Sequence, residues 1–193
     1  MVQSRTGVVI PIRSFALGKA RLAAQLDRSE RAALGQRLAE HVVRAASAFD
    51  TVIVSSDTDV RTWAVRLDVA AIDDPGSLDS AADDGRAWLR IRGCRRVVIA
   101  HADLPLARTF VDVTHDASQP VVVIVPCHRD DGTPVLSLPA DSDFAFAYGA
   151  GSFRRHAAEA RRVGLAVRVV RDPSLAFDVD VPDDLDALAP HAY

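Results

Sequence analysis

Three cations stand around one glycine in the segment PIRSFALGKARL, residues 11–22. Arg13 precedes Gly18, and Lys19 and Arg21 follow it. Lysine offers a phosphate a point charge and arginine offers a bidentate fork, so this segment is suited to hold a polyphosphate. The Walker A pattern GxxxxGK[ST] and the dinucleotide pattern GxGxxG are both absent from it. The alternative interpretation is a solvated loop whose cations only keep the protein soluble.

Two later segments, VVIAHADLPL and FDVDVPDDL, contain aspartates that could bind a metal ion. Asp103 is predicted at the carboxyl end of a buried strand, where a lone carboxylate commonly holds the Mg²⁺ of a nucleotide. Asp178 and Asp180 are two residues apart and point the same way if their segment is extended. Carboxylates held close together repel unless a cation lies between them. We therefore expect Asp103 and Asp180 to share one divalent ion, with Asp178 as a supporting ligand.

Other interpretations of these acidic segments are structural. Asp103 has the alternative of capping the helix that follows it. Asp183 and Asp184 fall in the first turn of a predicted helix, where the helix dipole favours carboxylates. His101 is more typical of a hydrogen-bonded polar residue than of a catalytic base.

A glycine turn precedes a predicted helix in YGAGSFRRH. Backbone N–H groups at Gly149 and Gly151, with Ser152 as the cap, form an anion site, and the cations at 154–156 add positive potential. The motif DDGTPVL forms a second glycine turn, with Thr133 ahead of a short strand. The alternative for both segments is an ordinary turn.

The elements that position these loops alternate between strands and helices. Strands rich in Val and Ile are predicted at 8–12, 51–55, 69–72, 96–100, 121–126 and 166–170. Helices are predicted from a capping box at Asp27 and Glu30, at 58–67, at 80–91 with Gly93 just beyond, at 107–117, at 152–164 and from Pro182. This order predicts a single-domain α/β fold over residues 1–193, a mostly parallel, doubly wound sheet with helices on both faces. Ligands of such sheets bind beyond the carboxyl ends of the strands, where all the loops above lie.

Composition excludes several classes of protein. The chain has 193 residues, 49% of them hydrophobic, and a net charge of −3, so nucleic acid is not an expected partner. No apolar run approaches the ~20 residues of a membrane span, and the N-terminal segment lacks the apolar core of a signal peptide. The two cysteines stand outside any CxxC motif, which favours a reducing cytoplasm. The oligomeric state stays open, a homodimer included.

Taken in order, these motifs resemble the 2-phospho-L-lactate/phosphoenolpyruvate guanylyltransferases of coenzyme F-420 biosynthesis. That family shares the nucleotide-diphospho-sugar-transferase-like, Rossmann-like fold of the molybdenum-cofactor guanylyltransferases. The resemblance runs from residue 8 to residue 188. PIRSFALGKARL, HADLPL, the Gly-Thr pair at 132–133, YGAGSFRRHAAEA and DVDVPDDL carry it.

The resemblance implies transfer of GMP from GTP to the phosphate of a small phosphorylated acid, with release of pyrophosphate. The implied nucleotide-binding residues are Pro11, Arg13, Lys19, Arg21, Leu78, Asp79 and His101. The implied catalytic residues are Lys19, Arg21 and Asp103. The acceptor acid would contact Thr133, Gly149 and Ser152. One or two Mg²⁺ ions would be held by Asp103 and Asp180, with Asp178 in support.

Three positions depart from the family pattern. Arg13 replaces a lysine and keeps the charge with a different geometry. Asp79 replaces an asparagine, and we expect it to lie near the nucleobase and to accept from guanine N–H groups. Pro134 replaces a second asparagine beside two extra carboxylates, Asp130 and Asp131, which puts the identity of the acceptor in doubt.

Three functions remain open from the sequence. The leading one is guanylyl transfer to phosphoenolpyruvate or 2-phospho-L-lactate, with a slight preference for phosphoenolpyruvate from the Ala- and Arg-rich composition. The second is the same chemistry with another acceptor, such as 3-phosphoglycerate or a molybdopterin. The third is a nucleotide-binding homologue without turnover. The clustered Lys19, Arg21, Asp103 and Asp180 speak against it.

Overall fold

The computed structural model describes residues 5–114 and 119–188 of the chain and contains one seven-stranded sheet. Its strands are β1 Thr6–Pro11, β2 Asp50–Val54, β3 Ala70–Ile72, β4 Arg96–Ala100, β5 Val121–Val125, β6 Val135–Pro139 and β7 Ala166–Val169. Their spatial order is β3-β2-β1-β4-β6-β5-β7. β6 runs antiparallel to both of its neighbours, and the other pairs are parallel. The mostly parallel sheet is confirmed.

Helices cover both faces of the sheet. They are α1 Arg28–Ala45, α2 Thr58–Arg66, α3 Leu78–Ile91, α4 Ser152–Arg162, α5 Pro173–Ala176 and α6 Pro182–Leu188. α1 and α2 pack with Val8 and Ile10 in one core, whereas α3 and α4 pack with Val9 in the other. Alternate residues of a strand point to opposite faces, so the continuous apolar run of β1 contributes to both cores. The doubly wound arrangement is therefore confirmed.

Sequence signals correctly predicted the start of α1 and the end of α3. Asp27 accepts from the backbone N–H of Glu30 at 2.8 Å, and Glu30 Oε2 accepts from the backbone N–H of Asp27 at 2.7 Å. This is the predicted capping box at the start of α1. Gly93, with φ 87°, follows the C-cap of α3 in the left-handed conformation that glycine tolerates.

The helix predicted at 107–117 is wrong. The described part of that segment holds only a 3₁₀ turn at Val111–Val113, and residues 115–118 lie outside the described residues. Thr109 Oγ1 accepts from the Val111 N–H at 3.2 Å, and Thr114 Oγ1 donates to the Val111 carbonyl at 2.7 Å. Threonine hydroxyls compete in this way with helical backbone bonds. The short helix α5 was not predicted; Asp172 caps it through the N–H of Ser174 at 2.8 Å.

No helix in the described part of the chain is both long enough and apolar enough to cross a membrane.

Candidate active site

A cavity of about 380 Å³ opens beyond the carboxyl ends of β1 and β4. It is bordered by the loop after β1, by the start of α3 and by residues 101–103. The structure brings six predicted residues to its wall: Pro11, Arg13, Lys19, Leu78, His101 and Asp103. The loops selected by the rule that ligands bind at this edge of a parallel sheet thus border a cavity.

Lys19 joins the two acidic segments at the mouth of this cavity. Its Nζ donates to Asp103 Oδ2 and, at 2.6 Å, to the carbonyl of Val179, and it lies 3.6 Å from Asp180 Oδ1. The Lys19 side chain is only 11% exposed. Arg21 Nη1 lies 3.9 Å from Asp180 Oδ2 on the solvent side. The structure thus brings together Asp103 and Asp180, as predicted, on one ammonium group.

Burial and neighbouring charges act differently on the carboxylates of this site. Burial tends to raise the pKa of Asp103, but Lys19 and His101 lower it below its ordinary value, so Asp103 is ionised near neutral pH. Burial and the charges of Asp103 and Asp180 raise the pKa of Asp178. Asp103 Oδ1 is buried and has no hydrogen-bond partner among the described residues. A further cation would satisfy that oxygen and relieve the repulsion.

Asp103 and Asp180 fit Mg²⁺ better than the predicted set of three. Within residues 5–114 and 119–188, no group of three His, Cys, Asp or Glu side chains has the arrangement of a metal site. Asp178 Oδ1 lies 3.4 Å from His128 Nδ1 and 3.9 Å from Arg129 Nη1, and it too is buried with no hydrogen-bond partner among the described residues. Mg²⁺ usually takes one or two carboxylates and completes its shell with water and substrate phosphates. The pair Asp103 and Asp180, with the buried Oδ1 of Asp103 still without a hydrogen-bond partner among the described residues, meets that requirement.

Asp184 holds the segment that carries Asp180. The Asp184 side chain, 4% exposed, accepts from the backbone N–H groups of Asp180 at 2.7 Å and Val181 at 2.9 Å. Arg129 Nη2 donates to its other oxygen at 2.6 Å. Burial opposes its charge, yet these donors lower the pKa of Asp184. The sequence assigned Asp184 only to the first turn of a helix, and its partner Arg129 carried no local signal.

A second buried network joins the predicted acceptor residues. Ser152 Oγ donates to Thr133 Oγ1 at 3.3 Å, and His156 Nδ1 lies 3.1 Å from the same oxygen. His156 Nε2 accepts from the backbone N–H of Ala147 at 3.0 Å, so the ring proton is on Nδ1, which donates to Thr133. Burial lowers the pKa of His156 to about 4. His156 is therefore neutral near pH 7, and the expectation that it adds positive potential is wrong.

The turn before α4 differs from the predicted cap. Gly151, with φ 73°, is the N-cap residue, and Ser152 is already the first residue of the helix. Gly149 is also left-handed, with φ 100°. Arg155 donates to the carbonyls of Ala147 and Tyr148 and so closes the turn. Ser152 accordingly contacts Thr133 and does not cap α4.

Asp79 has a different partner from the predicted nucleobase. Its Oδ1 accepts from the backbone N–H of Tyr148 at 2.7 Å, and Asp79 does not line the cavity, although Leu78 beside it does. The contact ties α3 to the turn before α4. The expectation that Asp79 faces guanine gives way to a role in placing Tyr148.

The two extra carboxylates near the predicted acceptor site are also engaged. Asp131 Oδ1 accepts from the backbone N–H of Gly151 at 2.9 Å, and Asp130 pairs with Arg171 at 2.7 Å. The carbonyl of Pro134 accepts from the backbone N–H of His101 at 2.9 Å. These residues therefore shape the loops, and the charge of Asp130 is paired with Arg171.

The fold of this chain is that of the nucleotidyltransferase class of structures. Solved structures with the same fold include a nucleotidyl transferase from Methanothermobacter, with TM-score 0.66 and 15% identity, covering 97% of each chain. Another is 4-diphosphocytidyl-2C-methyl-D-erythritol synthase from Anaerococcus prevotii, with TM-score 0.65 and 11% identity, covering 98% of this chain and 96% of that one.

Within that class, the chain belongs to the family described as guanylyl transferase CofC like, whose model matches residues 6–192. It is 38% identical to a phosphoenolpyruvate guanylyltransferase of Sphaerobacter thermophilus, over 97% of this chain and 94% of that protein. It is 37% identical to a protein of the same name from Roseiflexus castenholzii, over 94% of this chain and 86% of that protein. Membership of this family makes a nucleoside triphosphate its substrate.

Proposed function

We propose that this enzyme transfers GMP from GTP to the phosphate of phosphoenolpyruvate and releases pyrophosphate. The observation that carries the proposal is the ammonium of Lys19, which Asp103 and Asp180 share at the mouth of the cavity. The name of the relatives from Sphaerobacter and Roseiflexus supports phosphoenolpyruvate as the acceptor. The resemblance to the coenzyme F-420 family suggests that the product serves that pathway, in the cytoplasm.

The cations of the first loop hold the nucleotide. Arg13 and Lys19 line the cavity, and Arg21 stands on its solvent side. Lys19 is positioned by three oxygens, so little reorganisation is needed when a triphosphate arrives. Preorganised charge of this kind stabilises the negative charge that develops on a departing pyrophosphate.

The transfer is a displacement at phosphorus. An oxygen of the acceptor phosphate forms a bond to the α-phosphorus of GTP, and the bond from that phosphorus to the bridging oxygen of the β-phosphate breaks. Pyrophosphate leaves with the electron pair. A phosphate monoester is already largely ionised at pH 7, so no side chain has to remove a proton from the nucleophile. The work of the protein is to position two anions and to offset their charge.

Asp103 and Asp180 are proposed to hold Mg²⁺. When bound, the ion neutralises phosphate charge and orients the reacting oxygens. Lys19 then contacts the phosphates from the side of the first loop. Thr133, Gly149 and Ser152 are proposed to bind the acceptor acid, with the buried hydroxyl pair of Thr133 and Ser152 at its centre.

Release of pyrophosphate tests the proposal. The protein is incubated with Mg²⁺, each of the four common nucleoside triphosphates, and phosphoenolpyruvate, 2-phospho-L-lactate or 3-phosphoglycerate. We expect release with GTP and phosphoenolpyruvate, and none from the Asp103→Asn variant. Release only with 2-phospho-L-lactate or 3-phosphoglycerate would overturn phosphoenolpyruvate as the acceptor. GTP binding without release in any mixture would overturn the catalytic function.

A further inference from the structure

Two buried polar atoms near the cavity lack hydrogen-bond partners among the described residues. They are the hydroxyl of Tyr148 and Nε2 of His101. Their rings contact each other, with centroids 5.5 Å apart and planes tilted by 44°. Buried polar atoms are nearly always hydrogen-bonded, and an unpaired one costs stability. Two such atoms on neighbouring rings therefore point to a ligand that supplies the missing partner.

The ring pair lies between the two halves of the site. His101 lines the nucleotide cavity, two residues before Asp103. Tyr148 packs edge-on against His156 at 4.8 Å, and His156 is bonded to Thr133 of the proposed acceptor site. The ring pair thus connects the wall of the cavity, at His101, to the proposed acceptor residue Thr133 through His156.

The chemistry of the pair selects an anionic oxygen. Burial and the charge of Asp79 raise the pKa of Tyr148 well above its ordinary value, so the hydroxyl keeps its proton and donates. Asp79 also holds the Tyr148 backbone through the 2.7 Å bond to its N–H. A carboxylate only accepts hydrogen bonds, and bonds to a charged group are the stronger kind.

We propose that Tyr148, together with His101, binds the carboxylate of the acceptor acid. The inference rests on the proposed function, in which the phosphate of the same acid reacts near Lys19 and Asp103. A small phosphorylated acid carries its carboxylate within a few bonds of that phosphate. Tyr148 and His101 then make the enzyme selective for acids over simple phosphate esters.

Tyr148→Phe tests this role because it removes one oxygen and keeps the ring. The KM for phosphoenolpyruvate should rise about 10- to 100-fold, as expected for the loss of one hydrogen bond to a charged group. The KM for GTP should stay unchanged. Thermal stability without substrate should stay equal or rise, since the hydroxyl has no partner in the free protein. A purely structural hydroxyl would instead lower stability and leave the KM alone.

A substrate without the carboxylate provides the matched control. Ethyl phosphate at high concentration should be used equally poorly by wild type and Tyr148→Phe. His101→Gln, whose amide nitrogen reaches the position of Nε2, should retain more affinity for phosphoenolpyruvate than His101→Asn. An unchanged KM for phosphoenolpyruvate in Tyr148→Phe would overturn this inference while the proposed function stands. Wild-type protein that transfers GMP to no phosphorylated acid would overturn both.

Discussion

Asp103 and Asp180, which lie far apart in the sequence, meet on the ammonium group of Lys19. Asp103 lies in the loop just after β4, and Asp180 lies in the segment just before α6. A backbone hydrogen bond of 3.3 Å, from the N–H of Val179 to the carbonyl of Asp103, joins the two segments. This meeting point is the proposed reacting centre of the chain.

Removal of the Asp103 charge should abolish turnover and spare the fold. Asp103→Asn keeps the size of the side chain, and we expect a fall of more than about 100-fold in guanylyl transfer because the charge stabilises the transition state. The side chain is mostly buried, so the melting temperature should fall, but the fold should persist because the Val179 carbonyl and Asp180 still face the Lys19 ammonium. Asp183→Asn, at an exposed position of the neighbouring helix, is the control and should keep wild-type turnover. Activity of Asp103→Asn near the wild-type rate would contradict the assignment.

Asp79→Ala should weaken binding of the acceptor acid and leave the preference for GTP over ATP unchanged. The substitution removes the bond to the Tyr148 N–H. One bond to a charged group is worth roughly 1.5–3 kcal/mol, so the KM for phosphoenolpyruvate should rise about tenfold or more. Asp79→Asn retains an acceptor oxygen and should show a smaller effect. Steady-state kinetics with GTP and ATP check the base preference; a switch toward ATP would instead place Asp79 at the nucleobase.

Asp184→Ala should both destabilise the protein and slow the reaction. It leaves Arg129 without its 2.6 Å partner and frees the N–H groups of Asp180 and Val181. Breaking a buried, hydrogen-bonded charge pair costs roughly 3–5 kcal/mol, and the partial exposure of Arg129 places the expected loss at about 2–3 kcal/mol. Urea denaturation measures this loss. Asp186→Ala, exposed on the same helix, should stay within about 0.5 kcal/mol of wild type. Equal losses in the two variants would refute the role of Asp184.

His156 should make the fold less stable in mild acid. Its pKa is about 4 in the folded protein and about 6.5 in the unfolded chain, so between these values the unfolded state binds more protons. The free energy of unfolding should therefore fall by about 2 kcal/mol from pH 7.5 to pH 5 through this residue alone. The measurement is denaturant unfolding of wild type and His156→Asn at both pH values. The variant should lose less stability on acidification; parallel losses would show that His156 is not buried in its neutral form.

Local signals in the sequence predicted the frame of the molecule. The apolar run at β4 predicted its bounds exactly as residues 96–100, and Asp27 with Glu30 predicted the start of α1. The direction of β6 was not predictable because strand composition carries no direction. The prediction of a helix at 107–117 was wrong because the hydroxyls of Thr109 and Thr114 form hydrogen bonds to the backbone there. Local composition did not reveal that competition.

Part of the candidate site could likewise be predicted from the sequence, and part could not. Lys19 and Asp103 were predicted as site residues because their types and positions after buried strands suit a phosphate and a metal, and both line the cavity. The partners of Asp79 and His156 depend on contacts between distant segments, namely with Tyr148 and Thr133. Burial also removes the positive charge expected of His156 near pH 7. Such effects depend on the tertiary structure, so a single sequence does not reveal them.

The most direct test of the central claim is to locate the metal ion in a crystal. Crystals of the wild-type protein are grown with Mn²⁺ and a non-hydrolysable GTP analogue, and the anomalous signal of manganese is mapped. We predict one or two peaks within coordination distance of Asp103 and Asp180, with the triphosphate beside Lys19. A nucleotide bound with its manganese away from both carboxylates would contradict the account.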